Sequence, residues 1–393
     1  MLNFSTSVSG SRAASALLGI ALSLLLCGHS VPAFASDTFK IIPAVTARET
    51  YDSNVYMMGK GDLEHRVVPS LKLDLQEERY RGSLTGGGTI YKYTKLNSYD
   101  RVDQSYDGLF EVDVTERLKV NFTAGAKVDH TFTETLADTG KIAQMILRRV
   151  YNFQPSVSYN VTERNVATLF SGYSKITYGS TTYTDSTANT FGGRWAYGFD
   201  ERTQLIAQLS STQTEAKTGG QQTVVTSLGG FEYSLTETIK ARLLAGSSSM
   251  SSTTAAGKTS SSRGMSADSS VQWQAGETSY ATAAFNRDMT SGLNGEDIVR
   301  TRFSFNASRR LTERFQVQLN ANTVLSKTTG SSVAEQTTRW TEVSPVAEYQ
   351  TSEYSTVSLG CAFGVSKTEE TNESKRRSQV FLNFSISFPE FLQ

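Results

Sequence analysis

The sequence predicts an all-β fold: a closed antiparallel transmembrane β-barrel of about 18 strands, with short periplasmic turns and longer outer loops. Three observations predict it. Apolar residues recur singly at every second position, the period of a strand with one oily and one wet face. A polar tight turn recurs along the chain. The N-terminus reads as an export signal.

Residues 1–35 fit a cleaved signal peptide. Arg12 is the only charge before Asp37, residues 16–26 are mostly apolar, and Ala33 and Ala35 flank Phe34 in a small-x-small cleavage pattern. Acylation at Cys27 is disfavoured, because bulky Leu26 precedes it. The barrel is expected to occupy residues 36–393. Within them Cys361 is the single cysteine, so no intramolecular disulfide can form. Removing Arg12 leaves 37 basic against 38 acidic residues, which argues against a nucleic-acid partner.

Residues 311–325 set the pattern. After the turn Thr312, Glu313, Arg314, one face takes Phe315, Val317, Leu319 and Ala321; the other takes Gln316, Gln318, Asn320 and Asn322. Helical spacing would scatter both classes around the axis. Comparable turns surround Glu77, Glu116, Glu163, Glu201, Glu237, Glu277, Glu313 and Glu353, spaced 36 to 47 residues apart. Eight such turns separate nine hairpins, which gives the strand count.

Strands leaving and approaching these turns alternate in the same way. Val120, Phe122, Ala124, Ala126 and Val128 share one oily face; Val299, Thr301, Phe303, Phe305 and Ala307 share another. Pro69 and Pro155 each remove a ladder donor and are expected at bulges. The slip of apolar parity around Trp340 and Val343 predicts another. Segments 211–223 and 247–262, rich in Ser and Thr, read as outer loops. Aromatics near strand ends (Tyr80, Tyr159, Tyr197, Phe199, Tyr233, Tyr280, Phe315) suit interface girdles.

In hydrocarbon every backbone donor and acceptor must be paired, and among sheets only a closed barrel achieves this. Lipid is therefore the expected partner of the oily face. The last strand (Val380, Leu382, Phe384, Ile386, Phe388) is the most apolar and suits reading by a barrel-assembly machinery, although residues 389–393 displace the aromatic from the final position.

Little in the chain points to catalysis. Only His65 and His130 follow the leader, both near outer strand ends. Serines are abundant near both, so their proximity does not define a hydrolase. Gly86, Gly87 and Gly88 sit inside a strand pattern with no helix after them, unlike a phosphate loop. No Cys/His spacing suggests zinc. No enzyme activity, cofactor or metal is expected.

The wet face carries the informative charges. By parity Asp103, Asp107, Glu111 and Asp113 of the fourth predicted strand point inward, as do Lys240 and Arg242 of the eleventh and Arg300 and Arg302 of the fourteenth. The lumen would then have either an acidic wall facing a basic one or a solvated wall whose charges pair with their neighbours, with Gln316, Gln318, Asn320 and Asn322 also lining the pore. The widest turn spacing, 47 residues, encloses loop 134–149. Two readings of this loop stand open: a constriction folded inward and docked on the acidic wall through Lys141, Arg148 and Arg149, or an extracellular loop with a short helical turn.

The run from Ile42 to Tyr56, IPAVTARETYDSNVY, together with the repeated Thr-Glu-Arg turns, resembles the β-barrel porin type 2 family, whose members accompany exopolysaccharide biosynthesis and export systems. The similarity extends over most of residues 38–388. It implies an outer-membrane channel for polysaccharide export, working with inner-membrane or periplasmic export proteins. The residues alone also admit a general small-solute porin or a structural, adhesive barrel.

Overall fold

The computed structural model describes residues 39–292, 296–329 and 335–388; the expected leader 1–35 and the tail 389–393 lie outside them. Eighteen strands form one sheet. The first six are β1 (Phe39–Asp52), β2 (Asp62–Gln76), β3 (Tyr80–Tyr93), β4 (Arg101–Asp113), β5 (Leu118–His130) and β6 (Leu147–Thr162). Then come β7 (Asn165–Tyr178), β8 (Ser186–Gly198), β9 (Thr203–Ala216), β10 (Gln221–Ser234), β11 (Ile239–Thr253) and β12 (Thr259–Ala275). The last six are β13 (Ser279–Ser291), β14 (Asp297–Arg310), β15 (Phe315–Thr329), β16 (Gln336–Gln350), β17 (Ser355–Thr368) and β18 (Glu373–Ser387).

Each strand pairs antiparallel with its sequence neighbours, and β1 pairs with both β2 and β18. That last ladder, from Ala44↔Ser387 to Asp52↔Gln379, closes the ring and removes both sheet edges. The oily parity faces outward. Mid-strand Leu169 and Phe191 are 70% and 67% exposed, an arrangement that makes physical sense only against lipid. The protein is thus a closed 18-stranded antiparallel barrel of the outer-membrane kind.

The repeated turns have a simple cause. In Thr115, Thr162, Thr236 and Thr312 the side-chain hydroxyl accepts backbone amides two and three residues on, for example Arg117 N–H at 3.2 Å and Leu118 N–H at 3.0 Å. Asp200 does the same with its carboxylate. These side-chain turns satisfy amides that the ladder cannot reach.

Four sequence expectations fail. Segments 211–223 and 247–262 are largely strand: β11 and β12 pair from Ile239↔Trp273 out to Thr253↔Thr259, joined by the short connection 254–258. Ser and Thr occupy both faces there, so the hydrophobic alternation vanishes while the ladder continues. Among the described residues the longer outer connections fall in the early hairpins, at 53–61, 94–100, 131–146 and 179–185. Pro69, Pro155 and Pro345 interrupt pairing on one side without shifting register, and no bulge occurs at Trp340 or Val343; among the described ladders the register shift falls at Asn160/Thr162. Tyr280 also departs from the expected girdle, since it shares the polar face with Thr282, whose hydroxyl donates to it at 2.6 Å.

Candidate channel and the segment that crosses it

The wet faces of the strands line the interior, and one segment crosses it. After β5 the chain forms helix α1 (Thr131–Thr139) and returns to β6 through residues 140–146. Although α1 is tethered to β5, it packs against β15 and β16. Those strands lie near the opposite side of the ring, so the path runs through the barrel. Its neck is fixed by Thr131, whose amide donates to Ile146 O at 3.0 Å while its hydroxyl accepts Ile146 N–H at 3.1 Å and donates to Gln144 O.

Apolar side chains anchor both ends of the crossing. Phe132, 2% exposed, meets the Tyr56 ring edge-on at 4.7 Å; Leu136 joins the same cluster. At the far side α1 ends on Gly140, in the left-handed region at φ +70° and with its amide bonded to Leu136 O at 2.9 Å. Gly140 lies so close to Trp340 that an added Cβ would stand 3.2 Å from its backbone nitrogen. Trp340, 2% exposed, is therefore an inward apolar residue covered by the crossing segment. This explains the parity slip read from the sequence without any bulge.

Charged contacts complete the docking. Arg300 Nη1 donates to Asp138 Oδ1 at 2.6 Å, and Arg302 Nη2 donates to the same oxygen. Lys141 Nζ donates to Glu296 Oε1 at 2.8 Å. The segment thus meets a basic stretch of β14 through an acid, and Lys141 reaches Glu296 beside that same strand rather than the acidic residues of β4. Arg148 instead forks onto Asp129 of neighbouring β5 at 2.9 and 2.8 Å. Arg149 pairs in register with Val128 and so shares the lipid-facing parity of Phe122 and Ala126. Neither Arg148 nor Arg149 belongs to the crossing, because β6 begins at Leu147.

The first outer connection folds toward the same cluster. Asn54 drives it: its amide binds Asp52 Oδ1 at 2.9 Å, its Oδ1 accepts Gly59 N–H at 2.6 Å, and its Nδ2 donates to Arg376 O at 2.7 Å. Tyr56 and Met57 take positive φ values of 52° and 58°, conformations that a bulky residue holds only when its surroundings impose them. The Tyr56 hydroxyl meets Tyr93 Oη at 2.8 Å and also binds Arg101, while Tyr93 donates to Glu64 at 2.7 Å. Burial pushes the Tyr56 phenol above its ordinary range, against the pull of Arg101.

The remaining predicted wall residues divide into paired and open groups. Asp103 is held by Arg101 at 3.2 Å and His130 at 2.8 Å beneath the cluster. Asp113 faces Lys119 at 3.4 Å and Arg81 at 3.9 Å. Asp107 and Glu111 carry no ion pair among the described residues. Arg242 pairs with Asp268 at 3.3 Å, and Lys240 is exposed near the periplasmic end. Asn320 is exposed on the polar face of β15, whereas Gln316, Gln318 and Asn322 are half-buried.

Arg101, Arg81 and Lys119 thus pair with acids of β4, while Asp288 and Asp138 pair with arginines of β14, so each of these two strands meets charges of both signs. The sequence alone does not single out Asp138 or the Glu64–Arg66 pair, and it shows Trp340 only as a slip of parity. For the Glu64–Arg66 pair, the signal was polar parity in β2, masked by Val67 and Val68 beside it.

No family model matches the chain, and no curated protein matches it. Among solved structures it is similar to the FrpB iron transporter from Neisseria meningitidis (12% identity, 85% of this chain and 62% of that one, TM-score 0.48). It is also similar to two Pseudomonas aeruginosa proteins: OpdK, crystallised with vanillate (10% identity, 88% and 99% covered, TM-score 0.47), and OpdQ (8%, 90% and 100%, TM-score 0.47). The chain spans less than two thirds of FrpB and of the copper transporter OprC (62% and 63%). With its closed wall and lipid-facing belt, the molecule is a transmembrane β-barrel of the outer-membrane kind.

Proposed function

We propose that the barrel is a passive channel for polar solutes, narrowed in its outer half by residues 131–146. One observation carries this reading: charged side chains inside a closed wall remain open to water. Asp138 is 54% exposed, Asp268 43% and Arg302 34%, although all three lie on the lumen side. A filled interior would bury them, whereas an 18-stranded ring is wide enough to enclose an aqueous bore.

In this reading Asp107, Glu111, Lys240, Arg242, Arg302, Gln316, Gln318, Asn320 and Asn322 line the path. Their mixed charge and amide surface offers many weak hydrogen bonds without a deep trap. Passage of an exported polysaccharide is the finer proposal, with inner-membrane or periplasmic export proteins supplying the polymer. It rests on the Ile42-to-Tyr56 resemblance and on the lumen's amide and hydroxyl content.

The test is single-channel recording of the purified full chain in planar bilayers, with neutral oligosaccharides added to one side. Steady ion conductance with length-dependent sugar block is expected. A folded barrel that passes no ions would refute the channel. Conductance without any sugar block would refute the polysaccharide reading alone.

A further inference from the structure

We infer that Arg300 and Arg302 form a carboxylate-binding site on the lumen wall, filled by the chain's own Asp138 until a carboxylate-bearing solute displaces it. The inference deepens the channel reading by naming a solute class.

Asp138 is poorly placed for anything else. It sits in the last turn of α1, where the helix ends on exposed carbonyls and a negative charge is disfavoured; no basic residue occupies that turn. Its contacts are therefore tertiary. One oxygen, Oδ1, accepts from Arg300 Nη1 at 2.6 Å and from Arg302 Nη2, while the side chain stays 54% exposed. The geometry is that of a bound carboxylate on an arginine pair with one side open to the bore.

The two arginines differ in what remains once Asp138 leaves. Arg300 keeps a bidentate pair with Asp288, at 3.0 and 2.6 Å, which fixes its guanidinium in place. Arg302 has Asp138 as its one acidic partner among the described residues, and its Nε carries no hydrogen bond. Departure of Asp138 leaves Arg302 uncompensated beside a rigid Arg300. An incoming carboxylate restores the same two charge-assisted bonds. Gly140, two residues on, is a left-handed pivot seated on Trp340, so displacement of Asp138 changes the surroundings of that indole.

That indole provides the test. The chain has three tryptophans, and Trp195 and Trp273 lie on the outer face; Trp195→Phe with Trp273→Phe leaves Trp340 as the sole reporter. Its fluorescence in the detergent-solubilised full chain is titrated with trigalacturonate, glucuronate and neutral maltotriose. In this background, trigalacturonate is expected to give a saturable shift and maltotriose none. Asp138→Asn, which removes the internal competitor's charge, is expected to tighten binding about tenfold. Arg302→Gln is expected to weaken it at least as much, with Arg302→Lys between.

Glucuronate acting as well as the trimer assigns the site to small organic acids. A response to the trimer alone assigns it to a uronate polymer. Equal binding by Asp138→Asn, Arg302→Gln and the parent, or an equal response to maltotriose, overturns the inference. Fluorescence does not require ion flow, so a non-conducting barrel would sink the channel reading without deciding this one.

Discussion

Trp340→Ala should loosen the segment that crosses the lumen while leaving the barrel closed. Trp340 is 2% exposed and lies between the Gly140 turn and its own wall. A buried tryptophan removes about 200 Å² from water, worth roughly 5 kcal/mol at ~25 cal/mol per Å². If about two fifths of that area faces the crossing segment, truncation weakens docking by roughly 2 kcal/mol, which multiplies the undocked population about thirtyfold. Trypsin reads this directly, because Lys141 lies on the segment and is held by Glu296 when docked. When opening is fast, cleavage tracks the undocked population. Cleavage at Lys141 should therefore accelerate about thirtyfold in Trp340→Ala, with the heat-modifiable gel shift showing that the barrel stays folded. Trp340→Phe should change it only a few-fold. A folded Trp340→Ala barrel cleaved at the parental rate would refute the packing argument.

Other perturbations test separate contacts. Gly364→Ala places a Cβ 2.1 Å from Trp340 Cη2, so it should displace the indole and reproduce the loosened segment in the trypsin assay. Asp52→Ala leaves Arg377 buried without its partner, now 2.8 Å away through Nε, and should cost about 3 kcal/mol, read as a lower urea midpoint for loss of the folded gel band. Thr115→Ala removes the acceptor of two turn amides; a loss of about 1 kcal/mol and slower refolding are expected, with conductance unchanged.

Asp185, in an outer connection, is held below the ordinary carboxylate range first by the Tyr178 backbone amide and then by Lys217. Its folded value is depressed, so its contribution is present above the unfolded value near ~3.9 and is lost as pH falls through the folded value. The protection factor of the Tyr178 amide, its exchange rate relative to an unstructured amide at the same pH, should fall on acidification in the parent. In Asp185→Ala, which has no acceptor, it should be low at every pH.

Much of the barrel was legible in the sequence because the same physical rule acts on every strand. Lipid on one side and water on the other force period-two alternation, and each Thr-Glu-Arg turn satisfies its own amides locally. The reading failed where that rule lapses. Residues 247–253 and 259–262 carry serine and threonine on both faces, so no alternation distinguishes their strands from loop. Trp340 broke parity because a segment distant in sequence covers it. Loop 134–149 was singled out by its length and its basic residues, yet its docking acid, Asp138, finds Arg300 and Arg302 about 160 positions away. Such pairings depend on tertiary geometry that no local pattern encodes.

Adjacent residues Leu319 and Asn320 test the central claim most directly. They occupy opposite faces of β15, and native Cys361 pairs with lipid-facing Val380, so Cys361→Ala provides a clean background. In proteoliposomes, Asn320→Cys should react rapidly with a charged methanethiosulfonate and lose conductance as it does. Leu319→Cys should stay unreactive. Protection at 320 with labelling at 319 would contradict a wet bore inside a lipid-facing wall.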